Sequence, residues 1–427
     1  MTNTVDTLII GAGLTGLSTA YHLRKRGQTN FLIVEKAPFI GGLCASTTQH
    51  GFTFDVGGHL LHLHTPEGKK LVQKLLKNNL HKKSRRAFIY TQEARVPFPF
   101  QAHLYALPEN IRRACALGLQ NAPRILYPKT FKTWCLTHFG EGIYTHFLKP
   151  YNTKLWQIPP EKLTCTWCST FVPKPTPAQM AQSITKPPTK NYGYNTSFYY
   201  PKTGGIGALA AALAKPIQPH ILLNAPVTQI DLARRRVLVN GHEIYFRKLV
   251  STLALPDLIH LLAAQTHLKQ MAARLSAADI TIYHLAVNRQ IPPFSWIYFP
   301  DPEIPFYRVG LQSAFSDRNA PANTSLFYIE LPGLQKPGAA LEKQIWNALV
   351  QKGIIEETDK PVFKAWQPVK NAYVQYTFAR EEVVEKLQNY LRAKGVFCAG
   401  RYGRWEYSFM ESALLQGKET AHILAGS

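Results

Sequence analysis

Apolar positions gather into short continuous blocks at both ends of the chain and take helical spacing between them. The block TLII (7–10) is unbroken, as in a strand covered on both faces, and stops at Gly11. LTGLSTAYHLRKRG (14–27) then follows the 3.6-residue period of an amphipathic helix, with Gly27 at a left-handed cap position. NFLIVEK (30–36) predicts a second strand ending in Glu35. Strand-like runs return at 220–232, 235–246, 248–253 and 281–287, and Asn240-Gly241 marks a hairpin turn. GVFCAG (395–400) predicts a late buried strand, and SFMESALLQGKETAHIL (408–424) a helix starting near Phe409.

Between about 66 and 150 helical patterns alternate with polar turns, which predicts an inserted helical subdomain. Proline clusters at FVPKPTP (171–177) and TKPPTK (185–190) predict loops. No repeat or long low-complexity tract is present. The expected fold class is α/β: a Rossmann-type nucleotide-binding domain with an inserted helical subdomain and a mixed-sheet substrate domain. The segments expected are 1–65, 191–280 and 376–427 for nucleotide binding, 66–190 for the mostly helical insertion, and 281–375 for the mixed sheet.

Composition narrows the class. A chain of 427 residues with 45% hydrophobic residues buries a large core and suggests two or three domains. The N-terminal stretch lacks the pattern of a signal peptide, and no apolar run approaches the length of a membrane-spanning helix. Six cysteines are too few for a disulfide framework, so a reducing cytoplasm is expected. The net charge of +23 favours anionic partners. Residues 69–86 (KKLVQKLLKNNLHKKSRR) are a dense basic block whose Leu71, Leu75 and Leu76 recur at helical spacing. Such a helix reads either as a solvated face or as a peripheral contact with an anionic membrane, on its inner face. No zinc-finger or RNA-binding signature accompanies the charge, so no nucleic-acid partner is expected.

The strongest chemical signal is Gly11-x-Gly13-x-x-Gly16 between strand and helix. Gly11 permits the tight turn, Gly13 lets a pyrophosphate approach the backbone at a helix N-terminus, and Gly16 allows close packing of helix on strand. Glu35 stands where an acid accepts hydrogen bonds from ribose hydroxyls, which disfavours a 2′-phosphate. Strand, glycines, helix, strand and acid in this order predict a dinucleotide, either NAD or FAD.

KAPFIGGLCAS (36–46) and GFTFDVGGHLLHLH (51–64) resemble the flavoproteins related to amine oxidases, protoporphyrinogen oxidase and UDP-galactopyranose mutase. The resemblance implies FAD as cofactor, with Lys36, Gly41, Gly42, Leu43, Gly57, Gly58, His59, Val227, Gly400, Arg401 and Met410 joining the glycines and Glu35 around it. Asp55 would stabilise its loop. ARVPFPFQAHLYALP (94–108), FLKPYNTKLWQIPPEKL (147–163), SFYYPKTGGIGALAAAL (197–213), WIYFPDPEIPFYRVGLQSAFS (296–316) and GRYGRWEYSFMESAL (400–414) resemble UDP-galactopyranose mutase in particular. That resemblance implies interconversion of UDP-galactopyranose and UDP-galactofuranose, in which N5 of reduced FAD attacks the anomeric carbon and UDP leaves and returns.

It also implies a substrate set. Phe98 and Gln101 would contact uridine; Phe147, Tyr151, Asn152 and Trp156 would form an aromatic nucleotide-binding helix and loop. Arg308, Tyr373 and Tyr407 would meet the diphosphate and sugar. His59, Arg308 and Tyr407 carry the catalytic assignment. The family usually has a second arginine shortly after a tryptophan; with Trp167 as that tryptophan, Phe171 stands in its place, and Lys174 and Lys186 are candidate replacements. The departure keeps open an FAD-dependent oxidoreductase of the amine oxidase or protoporphyrinogen oxidase kind acting on another substrate. Trp405 reads as packing and Arg404 as solvent-facing. Cys165-x-x-Cys168 lacks a second pair and reads as a buried turn. His62 and His64 lack further ligands, so no metal is expected.

Overall fold

The computed structural model describes residues 4–189, 191–193, 195–263 and 266–426. Met1, Lys190 and Ser427, which bound predicted segments, lie outside them. Strand β1 (Thr4–Ile10) passes into helix α1 (Leu14–Lys25), and α1 returns the chain to strand β2 (Phe31–Val34), parallel to β1. Leu8 and Ile9 of β1 are fully buried, as expected of a central strand with helices on both faces.

The sheet grows on both sides of this unit. Its order is Val227–Asp231, Arg236–Val239, His242–Ser251, β1, β2 and Ile221–Leu222. His242–Ser251 changes neighbours along its length. Its first half pairs antiparallel with Arg236–Val239 across the Asn240-Gly241 turn, and its last residues pair parallel with Val396–Cys398. The C-terminal helix Met410–Gly426 lies on α1, where Gly417 leaves no room for a side chain against Ser18 and Thr15. The Ser18 hydroxyl donates to the Leu414 carbonyl across this contact at 2.7 Å.

A second sheet runs Pro361–Val374, Ala277–Val287, Ser325–Pro332, Arg308–Leu311, Trp296–Tyr298, Ala87–Thr91 and Ala94–Pro97. Two of its strands come from within 66–190, where the sequence pattern predicts mostly helix. Their apolar alternation is short and sits among helical runs, so only pairing with distant strands makes it a sheet. One face of this sheet is packed by Ile345 and Leu349 of helix Ala339–Gln351. The helical layer consists of Glu109–Gln120, Phe131–Ile143 and Lys149–Trp156. Thr130 caps the second of these with a capping box to Thr133. Gly118, Gly140 and Gly142 bring the first two helices into backbone contact.

Candidate functional site

One cavity of about 980 Å³ is walled by both sheets and the helical layer. Its nucleotide end is the β1–α1 turn. Gly11 has φ +104°, and Gly13 caps α1 without a side-chain hydrogen bond, so the first amides of the helix are left for a ligand. A Cβ on Gly13 would meet no protein atom within 4 Å. Glu35 accepts from the amides of Ala12 at 2.8 Å and Ala37 at 2.9 Å, and its carboxylate retains further acceptor positions toward the cavity. Lys36, Gly41, Gly42, Leu43 and Val227 line the same end.

Two glycines of the expected cofactor set do not face the cavity. A Cβ on Gly16 would collide with the Gly11 carbonyl, so Gly16 works from behind by letting α1 sit on the turn. A Cβ on Gly57 would approach the Glu330 carboxylate within 2.9 Å.

The middle of the cavity is formed by Gly58, His59, Gly400, Arg401 and Met410. Burial, with Arg401 nearby, pushes the His59 imidazole down to about 4, so it is neutral at physiological pH, and its Nδ1 is buried with no hydrogen-bond partner. Arg401 donates to the Ala372 carbonyl at 2.5 Å and the Ser408 carbonyl at 3.4 Å. Its guanidinium lies 4.6 Å from the Tyr407 ring centre. Arg401 Nε and the Tyr402 hydroxyl are also buried without partners, and both residues line the cavity. Orphaned polar atoms around an open glycine turn and an acid suit a large polar cofactor, and FAD fits this set. Asp55 lies behind the wall, where it accepts from Ser46, Tyr200, Gln312 and the Ile206 amide and fixes the loop before Gly57.

Beyond this lies the chamber formed with the second sheet. Arg308 and Glu330 are cross-strand partners in register. The guanidinium makes a forked pair to the carboxylate, 2.8 Å from Nε and 2.5 Å from Nη2, and Nη2 also donates to the Tyr373 hydroxyl at 3.1 Å. Nη1 has no partner among the described residues. Burial alone would lower the Arg308 pKa; Glu330 together with Tyr373, Tyr328 and Tyr151 outweighs this and holds it well above the ordinary range. Tyr151 stacks on Phe147 and meets Tyr298 edge-on at 4.8 Å, and burial holds the Tyr151 hydroxyl well above its usual range.

Phe98, Gln101, Phe147, Tyr151, Asn152, Trp156, Arg308, Tyr373 and Tyr407 all line the cavity. Two of them are already occupied by the chain. Asn152 donates to Leu148 and accepts from Trp156, and the Gln101 amide donates to the Pro173 carbonyl, leaving Gln101 Oε1 buried and unpaired.

Phe171 also lines the cavity, 4.4 Å from the Tyr407 ring and 4.9 Å from the Phe409 ring. Lys174 and Lys186 are exposed and do not reach the wall, so neither replaces an arginine at Phe171. Sequence reasoning missed Glu330, Tyr298, Tyr328 and Phe409, which complete the chamber. Glu330 had a signal: it is the one charge in the otherwise apolar run SLFYIELP (325–332). Cys168 is buried, and Cys165 donates to the Pro128 carbonyl. Among the described residues no group of His, Cys, Asp or Glu is arranged to hold a metal ion.

The family model described as flavin containing amine oxidoreductase matches residues 14–425. A crystal structure of reduced UDP-galactopyranose mutase superposes with a TM-score of 0.93 at 25% identity, covering 99% of this chain and 94% of that one. Cyclohexylamine oxidase from Brevibacterium oxydans IH-35A shares the fold, with a TM-score of 0.68 at 15% identity over 99% of each chain. A curated relative, an uncharacterized protein in the nifH2 3′ region of Methanothermococcus thermolithotrophicus, is 39% identical over 54 residues. That match covers 13% of this chain, and the chain spans about half, 51%, of that relative's length.

Proposed function

The chain belongs to the flavin-containing amine oxidoreductase family, and on that premise we propose that this FAD-dependent enzyme rearranges a UDP-sugar in the manner of UDP-galactopyranose mutase. The observation that carries the reading is Arg308. Glu330 and Tyr373 hold it rigidly in the cavity wall, with Nη1 left for a ligand anion. Reduced FAD supplies a nucleophilic nitrogen for this chemistry, and oxidised FAD accepts a hydride in oxidase chemistry. The chain's own part is to bind and to exclude water. Arg308 Nη1 and the Tyr407 hydroxyl would meet the diphosphate, and Trp156, Tyr151 and Phe98 would flank the nucleoside. The neutral His59 would present Nδ1 to the cofactor or sugar without adding charge.

The test is direct. Protein loaded with FAD and reduced with dithionite should convert UDP-galactofuranose to UDP-galactopyranose, and UDP alone should perturb the flavin spectrum. If no product forms under reducing conditions, the mutase reading is lost.

A second reading has its own support. Glu330 balances the charge of Arg308, and Phe171, Tyr407 and Phe409 make the adjoining wall aromatic. Such a chamber suits a less anionic substrate oxidised by FAD. Peroxide formed aerobically from an amine or a porphyrinogen, without any response to UDP, would favour it.

A further inference from the structure

The connection between helices Glu109–Gln120 and Phe131–Ile143 reads NAPRILYPKT (121–130). Three consecutive large apolar residues stand out of it: Ile125 is 38% exposed, Leu126 86% and Tyr127 85%. Leu117, on the preceding helix, is 59% exposed. Isolated exposed leucines are ordinary; three in a row at the tip of a turn leave a contiguous patch in water.

The tip is firmly mounted. Glycine contacts bring its two helices backbone to backbone, and the Cys165 thiol donates to the Pro128 carbonyl at 2.8 Å. Phe131, one residue past the connection, packs at a tilt against Trp167 of the cavity wall with ring centres 5.1 Å apart.

Along the chain, the charge around the tip has one sign. Residues 110–140 contain no Asp or Glu, while Arg112, Arg113, Arg124, Lys129 and Lys132 fall in that stretch. Arg112 and Arg113 pair with Glu109, and Lys132 pairs with Glu161. Arg124 and Lys129, on either side of the apolar triplet, are exposed and form no ion pair among the described residues. The basic segment 69–86, the sequence-based candidate for membrane contact, lacks this combination. Leu71, Val72 and Leu76 of helix Pro66–Leu76 are buried in the core, which leaves that helix no free apolar face.

We propose that the 121–129 turn docks this protein on an anionic lipid bilayer, with Ile125, Leu126 and Tyr127 entering the interfacial layer and Arg124 and Lys129 engaging acidic headgroups. Apolar side chains gain by leaving water for the acyl boundary, and a tyrosine is suited to the headgroup level, where its ring is buried and its hydroxyl stays wet. Flanking cations add attraction to anionic lipid, which salt weakens. The proposal is independent of which substrate the cavity takes.

The test uses the full FAD-loaded chain sedimented with vesicles of phosphatidylserine and phosphatidylcholine, and with phosphatidylcholine alone. Binding is expected to the former and to fall as salt rises. The pair Leu126→Ser with Tyr127→Ser should lower vesicle binding about tenfold or more. Arg124→Gln with Lys129→Gln should lower it about tenfold and flatten the salt dependence. Both variants should retain flavin absorbance and melting temperature, because the altered side chains are exposed. Failure of the parent chain to bind anionic vesicles overturns the proposal. So does a serine variant that binds like the parent, and so does one that changes only the mass of the protein in solution, which would make a second copy the partner of this tip.

Discussion

Arg308 and Glu330 form a pair in which neither member can be removed alone without cost. Glu330 is 1% exposed, so truncating Arg308 strands a carboxylate in the chamber wall. Arg308→Ala should weaken UDP binding by about 1.5–3 kcal/mol and destabilise the fold by about 3–5 kcal/mol. Arg308→Met combined with Glu330→Gln should regain much of the stability and none of the affinity. Titrating UDP by the flavin difference spectrum and melting each variant separates the two effects. Unchanged UDP affinity in both variants would show that the chamber binds something else. Phe171 gives the complementary prediction. Its ring faces Tyr407 at 4.4 Å, so Phe171→Arg adds a guanidinium beside the expected diphosphate position. UDP should then bind about tenfold tighter or more; no gain would mean that the diphosphate does not lie there. Arg308 was visible in the sequence through the resemblance of its stretch, PFYRVG (305–310), to UDP-galactopyranose mutase. Its partner was not, because the one-to-one pairing depends on strand register, which no local pattern encodes.

The β1–α1 turn separates two jobs that glycine does, and two substitutions distinguish them. Gly13 has ordinary φ and open space where a Cβ would go. Gly13→Ala should therefore fold normally and lose FAD, because the methyl group enters the space a pyrophosphate needs. Gly16 touches no cavity, yet a Cβ there would strike the Gly11 carbonyl. Gly16→Ala should lower the melting temperature of the FAD-free protein as well as its FAD content. Bound flavin measured by absorbance and the apo-protein melt together test both. Equal losses of stability in the two variants would sink the distinction. This element was legible from sequence down to its residues because strand, turn and helix are contiguous and each glycine has a local steric cause. The junction at 400–410 was legible in outline, since its strand and helix follow the pattern. That Phe409 would pack against Phe171 was not, because 238 positions (409 − 171) separate them and only the folded sheet order joins them.

At the scale of the molecule, periodicity identified many strands but not their partners. His242–Ser251 joins β1 because the chain returns after more than 200 residues, and Ala87–Thr91 and Ala94–Pro97 enter a sheet otherwise built from residues beyond 270. These long closures also bury polar groups whose protonation then depends on the whole fold. Burial, the leading cause in each case, pushes His22, His59, His62 and His284 down to about 4. An imidazole whose pKa is depressed on folding binds its proton more readily in the unfolded chain. Between about pH 6.5 and 4 the unfolded state therefore holds more protons, and stability falls as pH falls. Asp55 and Asp301, whose carboxyls burial holds above the usual range, work in the opposite direction, but they are two groups against these four imidazoles and against His81, His103, His138 and His146, which burial also lowers. The melting temperature should thus drop steeply from pH 7 to pH 5, by an amount corresponding to several kcal/mol in order of magnitude. His284 is fully buried in the second sheet, 4.4 Å from the Phe54 ring, with Nδ1 unpaired and Nε2 3.2 Å from Gln367. Removing its titration with His284→Phe should flatten the acid limb of the curve. It should do so in the FAD-free protein too, because the residue lies outside the cavity wall. A stability curve flat from pH 7 to pH 5, or one whose slope His284→Phe leaves unchanged, would show that these imidazoles do not control the acid response.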